Sequence, residues 1–249
     1  MIDIHAHILP RLDDGSDRMS TSLRMAVMAV QSGISDLIAT PHSNQLGKYE
    51  NYMSDALNEQ FQSFRSLLRR EEIPLRLHLG MEIYATSDMS EHLRAGKLIT
   101  LAGSRYLLLE FGFYDSIEYM EHILRDVRAE GYVPIVAHPE RYYALQAVPD
   151  HLFGWVENGV HLQLNKGSLS GFFGRDACDL ALRMLDHDLV SFCASDAHGA
   201  DRRTPVMSET WRWLAGHYSE RRAERLLQKN PEQVLADEPL YPCRPVPFR

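Results

Sequence analysis

Residues 1–15 read MIDIHAHILPRLDDG, a short apolar run that ends in a His-x-His pair, His5 and His7. On extended backbone, residues two apart point to the same side, so both imidazoles can reach one cation. Alone, such a pair is as readily a solvent-facing pair at a strand end. It gains meaning because the same grammar recurs along the chain. Ala39 leads to Thr40-Pro41-His42, Leu79 to Gly80-Met81-Glu82, and Leu109 to Glu110. Ala137 leads to His138, and Ser195 to Asp196-Ala197-His198.

The apolar runs cover residues 1–4, 34–39, 75–79, 106–110, 133–137, 160–164 and 189–194. They are short and bounded, as strands buried on both faces should be. Helical patterns lie between them, over residues 21–32, 52–70, 116–130 and 174–187, and after the last run over 205–217 and 220–229. In the first, Leu23, Ala26, Val27 and Val30 form the apolar stripe, and Gly33 is the stop signal. In the second, Leu57, Phe61, Phe64 and Leu68 recur at helical spacing. Strand alternating with helix predicts a parallel α/β sheet. The expected fold is a single-domain, distorted seven-stranded β/α barrel over residues 1–238, followed by a Pro-rich tail at 239–249. An open doubly wound sheet is the second choice. In a barrel the strand ends converge on one face, where barrel active sites form.

Composition narrows the function. A length of 249 residues suits one α/β barrel. The net charge of −8 carries no basic surface for nucleic acid. No run approaches the roughly 18 apolar residues of a membrane span. The acidic N-terminus has no apolar signal-peptide core, and Cys178, Cys193 and Cys243 have no metal-type spacing. A reducing cytoplasmic setting is expected.

Glu82 and Glu110 are the hardest residues to explain as structural, because acidic groups are almost never buried without a partner. A lone His42 or His138 after an apolar run is more often a core histidine, and Asp13-Asp14-Gly15 is also ordinary turn chemistry. The other histidines, at 78, 92, 122, 151, 161, 187 and 217, read as structural or surface residues. Convergence is what carries the argument. Imidazole and carboxylate donors without thiolate favour Mn, Fe, Zn or Mg. Metals about 3.5–4 Å apart can clamp a phosphate and generate hydroxide. Arg141 and Arg203 follow two of these strand ends, and guanidinium forks match phosphate oxygens.

With these residues in view, the sequence resembles the polymerase and histidinol phosphatase superfamily. Within it, the chain is similar to the manganese-dependent tyrosine-protein phosphatases of the CpsB/CapC family of capsule and exopolysaccharide loci. The marks are MIDIHAHILPRLDDG, IATPH, GMEIY, LLLEF, PIVAHPERY, LQLNKGSLSG and SDAHGADRR. The resemblance implies three divalent metals, manganese first, with Fe, Zn or Mg as alternatives. Its ligands carry over to His5, His7, Asp14, His42, Glu82, Glu110, His138, Asp196 and His198. Its phosphate-side arginines carry over to Arg141 and Arg203. A metal-bridging hydroxide is expected to attack phosphorus, with His198 or Asp14 as the proton donor. The implied partner is the phosphorylated Tyr-rich tail of a membrane tyrosine autokinase, and homo-oligomers are left open. The loops, including Phe111-Gly112-Phe113, depart from the family pattern where substrate preference would be set. The competing readings are a small-molecule phosphatase, acting on histidinol phosphate or a nucleotide, and a metal-binding regulatory subunit without turnover.

Cys243 and Arg249 also match the Cys-x5-Arg signature of cysteine phosphatases. That chemistry needs a loop of backbone N–H groups leading into a helix N-terminus. Pro245 and Pro247 each lack an N–H, so the match is read as accidental. Phosphotyrosyl peptide assays of Cys243→Ser should therefore give wild-type rates.

Overall fold

The computed structural model describes residues 1–248. Its strands are β1 (Ile2–Ala6), β2 (Asp36–Ala39), β3 (His42–Ser43), β4 (Arg76–Leu79), β5 (Glu82–Tyr84), β6 (Tyr106–Glu110), β7 (Val133–Ala137), β8 (His161–Asn165) and β9 (Phe192–Ala194). Every ladder is parallel, and the order is β1-β2-β4 in one sheet and β3-β5-β6-β7-β8-β9 in the other. All seven apolar runs contribute a strand.

The expected single ladder is instead divided, and the chain gives the reason. Pro41, which has no N–H, separates β2 from β3, and Gly80-Met81 separates β4 from β5. Gly80 N–H still donates to the Ala39 carbonyl (2.9 Å) and Glu82 N–H to that of Pro41 (3.2 Å). Each interrupted pair is thus one pass of chain, offset at the break. His42 and Glu82 therefore sit in short strands of their own, paired in register, and not in loops after the strands. The first and last passes meet through an isolated Ala6–Ala197 bridge. His7 N–H donates to Ala197 O (2.8 Å) and Asp196 N–H to His5 O (2.9 Å).

Alternate strand residues bury into two clusters. Ile4, Ile38, Leu108, Ile135 and Phe192 form the smaller one. Leu37, Leu107, Leu109, Val136, Leu162 and Cys193 face the larger one, shared with the helices. Leu107, Leu108 and Leu109 are all fully buried, as a strand covered on both faces requires.

The helix over Asp55–Arg70 buries the expected Leu57, Phe61, Phe64 and Leu68, and the Ser54 side chain caps it at Leu57 N–H. The helix Met19–Gln31 departs from expectation. Its buried face is Ser22, Met25, Ala26 and Ala29, while Val27 is 37% exposed. Small residues and a buried Ser16–Ser22 hydroxyl pair (2.7 Å) seat it closely, which rotates the stripe. The last helical stretch runs past residue 229, through a wider turn at Arg225–Lys229, to Ala236. The short helices Met89–Arg94, Tyr143–Ala147, Asp150–Glu157 and Lys166–Leu169 carry too few turns for a periodic signal. The Pro-rich tail is tied down. Arg244 N–H donates to Asp188 (2.7 Å) and Val246 N–H to His187 O (2.9 Å). Arg249 lies outside the described residues.

Gly80 sits at the joint that aims Glu82. A β-carbon there would lie 2.9 Å from Leu101 Cδ2 and 3.1 Å from Ile38 Cγ2. Gly80→Ala should lower stability by about 1–3 kcal/mol in urea melts, with the strain centred beside the Glu82 strand.

Candidate metal centre

His5 and His7 project from the end of β1 with their Nε2 atoms 3.2 Å apart. Their other ring nitrogens are engaged. His5 Nδ1 donates to Gln163 Oε1 (2.7 Å) and His7 Nδ1 to Asp13 Oδ2 (2.7 Å). Those bonds leave both Nε2 lone pairs facing the same space, the arrangement that orients metal-binding histidines.

The fully buried Glu82 occupies that space. Its Oε2 lies 3.2 Å from His5 Nε2, 3.2 Å from His7 Nε2 and 2.9 Å from His42 Nδ1. Its Oε1 lies 3.0 Å from His138 Nε2. Glu110, at the end of β6, lies 3.3 Å from His42 and 3.8 Å from His138. Asp196 Oδ1 is 3.5 Å from both His5 and His7 and 3.4 Å from His198. Asp14 Oδ1 is 3.5 Å from His42 Nε2 and 3.4 Å from His198 Nε2. All nine residues read as ligands from the sequence therefore fall in one connected cluster.

Three groups within it have the compactness of ion-binding sets: His7, Asp14, His42 and His198; His5, His7 and Asp196; and His42, Glu82 and Glu110. Metal–donor bonds of about 2.0–2.2 Å place neighbouring donors roughly 3–3.5 Å apart, which is the spacing seen here. Glu82 Oε2 and His198 Nε2 are buried and have no hydrogen-bond partner. Orphaned buried acceptors of this kind are costly unless a cation completes them. The donor set therefore fits divalent metal.

The electrostatics agree. Burial disfavours a charged His42, yet Glu82 and Glu110 hold its pKa up at about 12. Burial likewise opposes a charged His7, but Asp13 raises its pKa to about 9. Glu82 stays well below the usual carboxylate range despite burial, held there by His5, His42 and His138. The His198 ring 3.4 Å away pushes Asp14 low. Protons on the histidines do part of what metal would do. His138, Asp196 and Arg203 all adopt positive φ, at 35°, 48° and 47°. Such backbone strain is characteristic of functional sites.

Above the cluster opens a cleft of about 460 Å³, lined by Asp14, His42, Glu110, His138, Asp196, Arg141 and Arg203 among others. A groove of about 550 Å³ between the helices Ile117–Ala129 and Asp150–Glu157 contains none of these groups. Arg141 Nη1 lies 3.6 Å from Asp196 Oδ2, and Arg203 donates to the same oxygen. Lys166 Nζ donates to the carbonyls of Thr204 and Val206, holding the loop that carries Arg203.

Sequence reasoning missed the supporting residues. Asp13 orients His7 and also accepts from His42 N–H (2.9 Å). Asn165 donates to Asp196, and Gln163 orients His5. The latter two alternate along LQLN in β8, the same two-residue spacing as the His pair, and that was the available signal. The seven remaining histidines lie outside the three groups.

Fold and cluster together define a class: a parallel α/β protein with a histidine–carboxylate centre at the C-terminal ends of its strands. Residues 1–236 match the family described as capsular polysaccharide synthesis, CpsB/CapC, and the chain belongs to that family. Tyrosine-protein phosphatase YwqE of Bacillus subtilis (strain 168) is 35% identical over 249 residues, covering 100% of this chain and 97% of that protein. Tyrosine-protein phosphatase CpsB of Streptococcus pneumoniae is 30% identical over 243 residues, covering 96% of this chain and 99% of that protein. A solved structure from work on those two proteins, described as unique metal-dependent tyrosine phosphatases, superposes with a TM-score of 0.92 over 100% of both chains at 35% identity.

Metal and protons should compete. The His7 pKa rises from an ordinary 6.5 to about 9 on folding. Its stabilising contribution to the metal-free protein is full below 6.5 and is lost as pH climbs through 9. Urea midpoints in chelator should fall across that window. Metal, which needs the deprotonated ring, should restore them and release protons on binding.

Proposed function

We propose that this chain is a metal-dependent protein-tyrosine phosphatase of capsular polysaccharide synthesis. The observation that carries the reading is one cluster of five histidines and four carboxylates with two arginines at its rim. We assign His5, His7, Asp14, His42, Glu82, Glu110, His138, Asp196 and His198 as metal ligands. The sharing of His7 and His42 between groups supports up to three divalent ions, with manganese the first choice. We read the two sheets as a distorted barrel, because each interrupted strand pair is one pass and Ala6–Ala197 joins the ends. Residues 1–238 form the catalytic unit, with the 239–249 segment on its flank.

Bound divalent metals would supply Lewis-acid polarisation of the phosphoryl group and ease deprotonation of a water. The chain's own groups do the rest. Gln163 and Asp13 fix the histidine rings, so the cluster is organised before substrate arrives. Arg141 and Arg203 take the non-bridging phosphoryl oxygens, and Asp196 holds both guanidinium groups in place. Water oxygen bonds to phosphorus as the tyrosyl oxygen leaves with the bond's electron pair. That oxygen belongs to a phenol of pKa near 10, so it needs little help from a proton donor. Asp14, held low by His198, is ionised at neutral pH and fits a ligand better than an acid.

The reading includes a phosphorylated Tyr-rich tail of a membrane tyrosine autokinase as the partner. No helix among the described residues is long and apolar enough to cross a membrane. A cytoplasmic setting is compatible with the three free cysteines.

Chelation should abolish hydrolysis of a phosphotyrosyl peptide, and Mn²⁺ should restore it. Glu82→Ala and His5→Ala should remain folded and lose at least ~100-fold in rate, and Gln163→Leu ~10–100-fold. Full activity in a metal-stripped sample, confirmed by metal analysis, refutes the mechanism. A strong preference for histidinol phosphate keeps the centre and overturns the substrate.

A further inference from the structure

The segment Phe111-Gly112-Phe113-Tyr114-Asp115 follows β6 and contributes nothing to the metal cluster beyond Glu110 before it. It is a rigid device nonetheless. Asp115 N–H donates to Gly112 O (3.0 Å), and Gly112 N–H donates to Asp115 Oδ2 (2.8 Å). These bonds close a tight turn with Phe113 and Tyr114 at its tip. A β-carbon on Gly112 would lie 2.8 Å from both Asp115 Oδ1 and Tyr84 Oη, so a side chain there would push both of these groups aside. Tyr143 N–H donates to Phe113 O (3.2 Å), pinning the tip to the helix Tyr143–Ala147.

Turn tips usually carry Gly, Asn, Asp, Pro or Ser. This one carries two aromatic rings beside the cleft. Tyr114 is 87% exposed and leans on Tyr143, itself half exposed, with ring centroids 4.9 Å apart and planes tilted by 38°. Phe113 sits 4.9 Å from the Arg141 guanidinium, and Phe173 sits 4.2 Å from it. Both tip residues line the same cleft as Glu110, His138 and Arg203. Folding does not explain Tyr114, because it buries almost nothing. A pre-ordered aromatic residue beside an anion-binding arginine suits recognition, since few side-chain rotors remain to be frozen.

We infer that the turn bearing Phe113 and Tyr114 is an aryl-binding wall, selecting phosphoryl groups carried on an aromatic ring over those carried on an alkyl chain. This rests on the phosphatase reading above and names the residues that read the tyrosyl ring. A phosphoryl group held by Arg141 lies within one ring's reach of Phe113. The ring esterified to it leaves the cleft past the tip, where its face or edge can pack on Phe113 and Tyr114. An alkyl ester offers no such face.

The test compares phenylphosphonate with methylphosphonate, which share a head group and differ in the ring, by calorimetry on the manganese-loaded chain. Wild type should bind phenylphosphonate more tightly. Tyr114→Ala and Phe113→Leu should each cut that preference roughly threefold to tenfold, with methylphosphonate affinity unchanged. Tyr114→Ala removes an exposed ring, so its folding is not at risk. Absence of a phenyl preference in wild type, or equal weakening of both ligands in the variants, overturns the inference. A phenyl preference that depends on the turn, in a chain that hydrolyses no phosphotyrosyl peptide, upholds the aryl wall and overturns the phosphatase reading instead.

Discussion

The structure turns on one buried carboxylate. Glu82 has no solvent exposure, and the rings of His5, His7, His42 and His138 crowd around it. Four imidazoles around one carboxylate cannot satisfy one another without added positive charge. Protons supply some of it, as the raised pKa values of His7 and His42 show. Divalent cations match the donor spacing and also complete the orphaned oxygen of Glu82 and nitrogen of His198. The parallel strands serve this arrangement. Each pass delivers one or two donors to the same edge, and the offset at Pro41 and Gly80 brings His42 level with Glu82.

Much of this was legible in the sequence for a simple physical reason. Buried parallel strands are short apolar runs, and a polar residue at the end of one is conspicuous. Glu82, Glu110, His138 and Asp196 announced themselves in that way, as did the two-residue spacing of His5 and His7. The resemblance then supplied Asp14, which turn chemistry alone left ambiguous. What could not be read was anything that depends on how elements meet. The split of two strands depends on a missing N–H at Pro41 and on close packing at Gly80 against Leu101. The face of the helix Met19–Gln31 depends on a Ser16–Ser22 contact with no periodic signature. Asp13 and Asp14 are adjacent and chemically alike, and only the fold assigns one to orient His7 and the other to face His198.

The supporting residues show where stability gives way to function. Gln163 and Asn165 place polar groups on β8, where a purely structural strand would carry aliphatic ones. His138, Asp196 and Arg203 hold positive backbone φ that non-glycine residues seldom adopt. These departures from local preference gather around the cleft, where catalytic geometry competes with the demands of folding. Lys166, clamped on the carbonyls of Thr204 and Val206, belongs with them, because it fixes the loop from which Arg203 reaches Asp196.

Charge balance links metal to substrate. The chain carries a net charge of −8, and its cleft is lined by Asp14, Glu110, Asp115 and Asp196, with Glu82 buried beside them, against Lys48, Arg141 and Arg203. A phosphate ester approaching that site without metal meets an excess of carboxylate. Both guanidinium groups are also partly neutralised, since each leans on Asp196 Oδ2. Divalent ions held by these donors would reverse the local sign and, by engaging the Asp196 carboxylate, would leave the arginines more of their charge to offer a phosphoryl group. The acidic character of the protein is then no obstacle to an anionic substrate. On this charge balance, metal occupancy would be a condition for substrate binding as well as for chemistry.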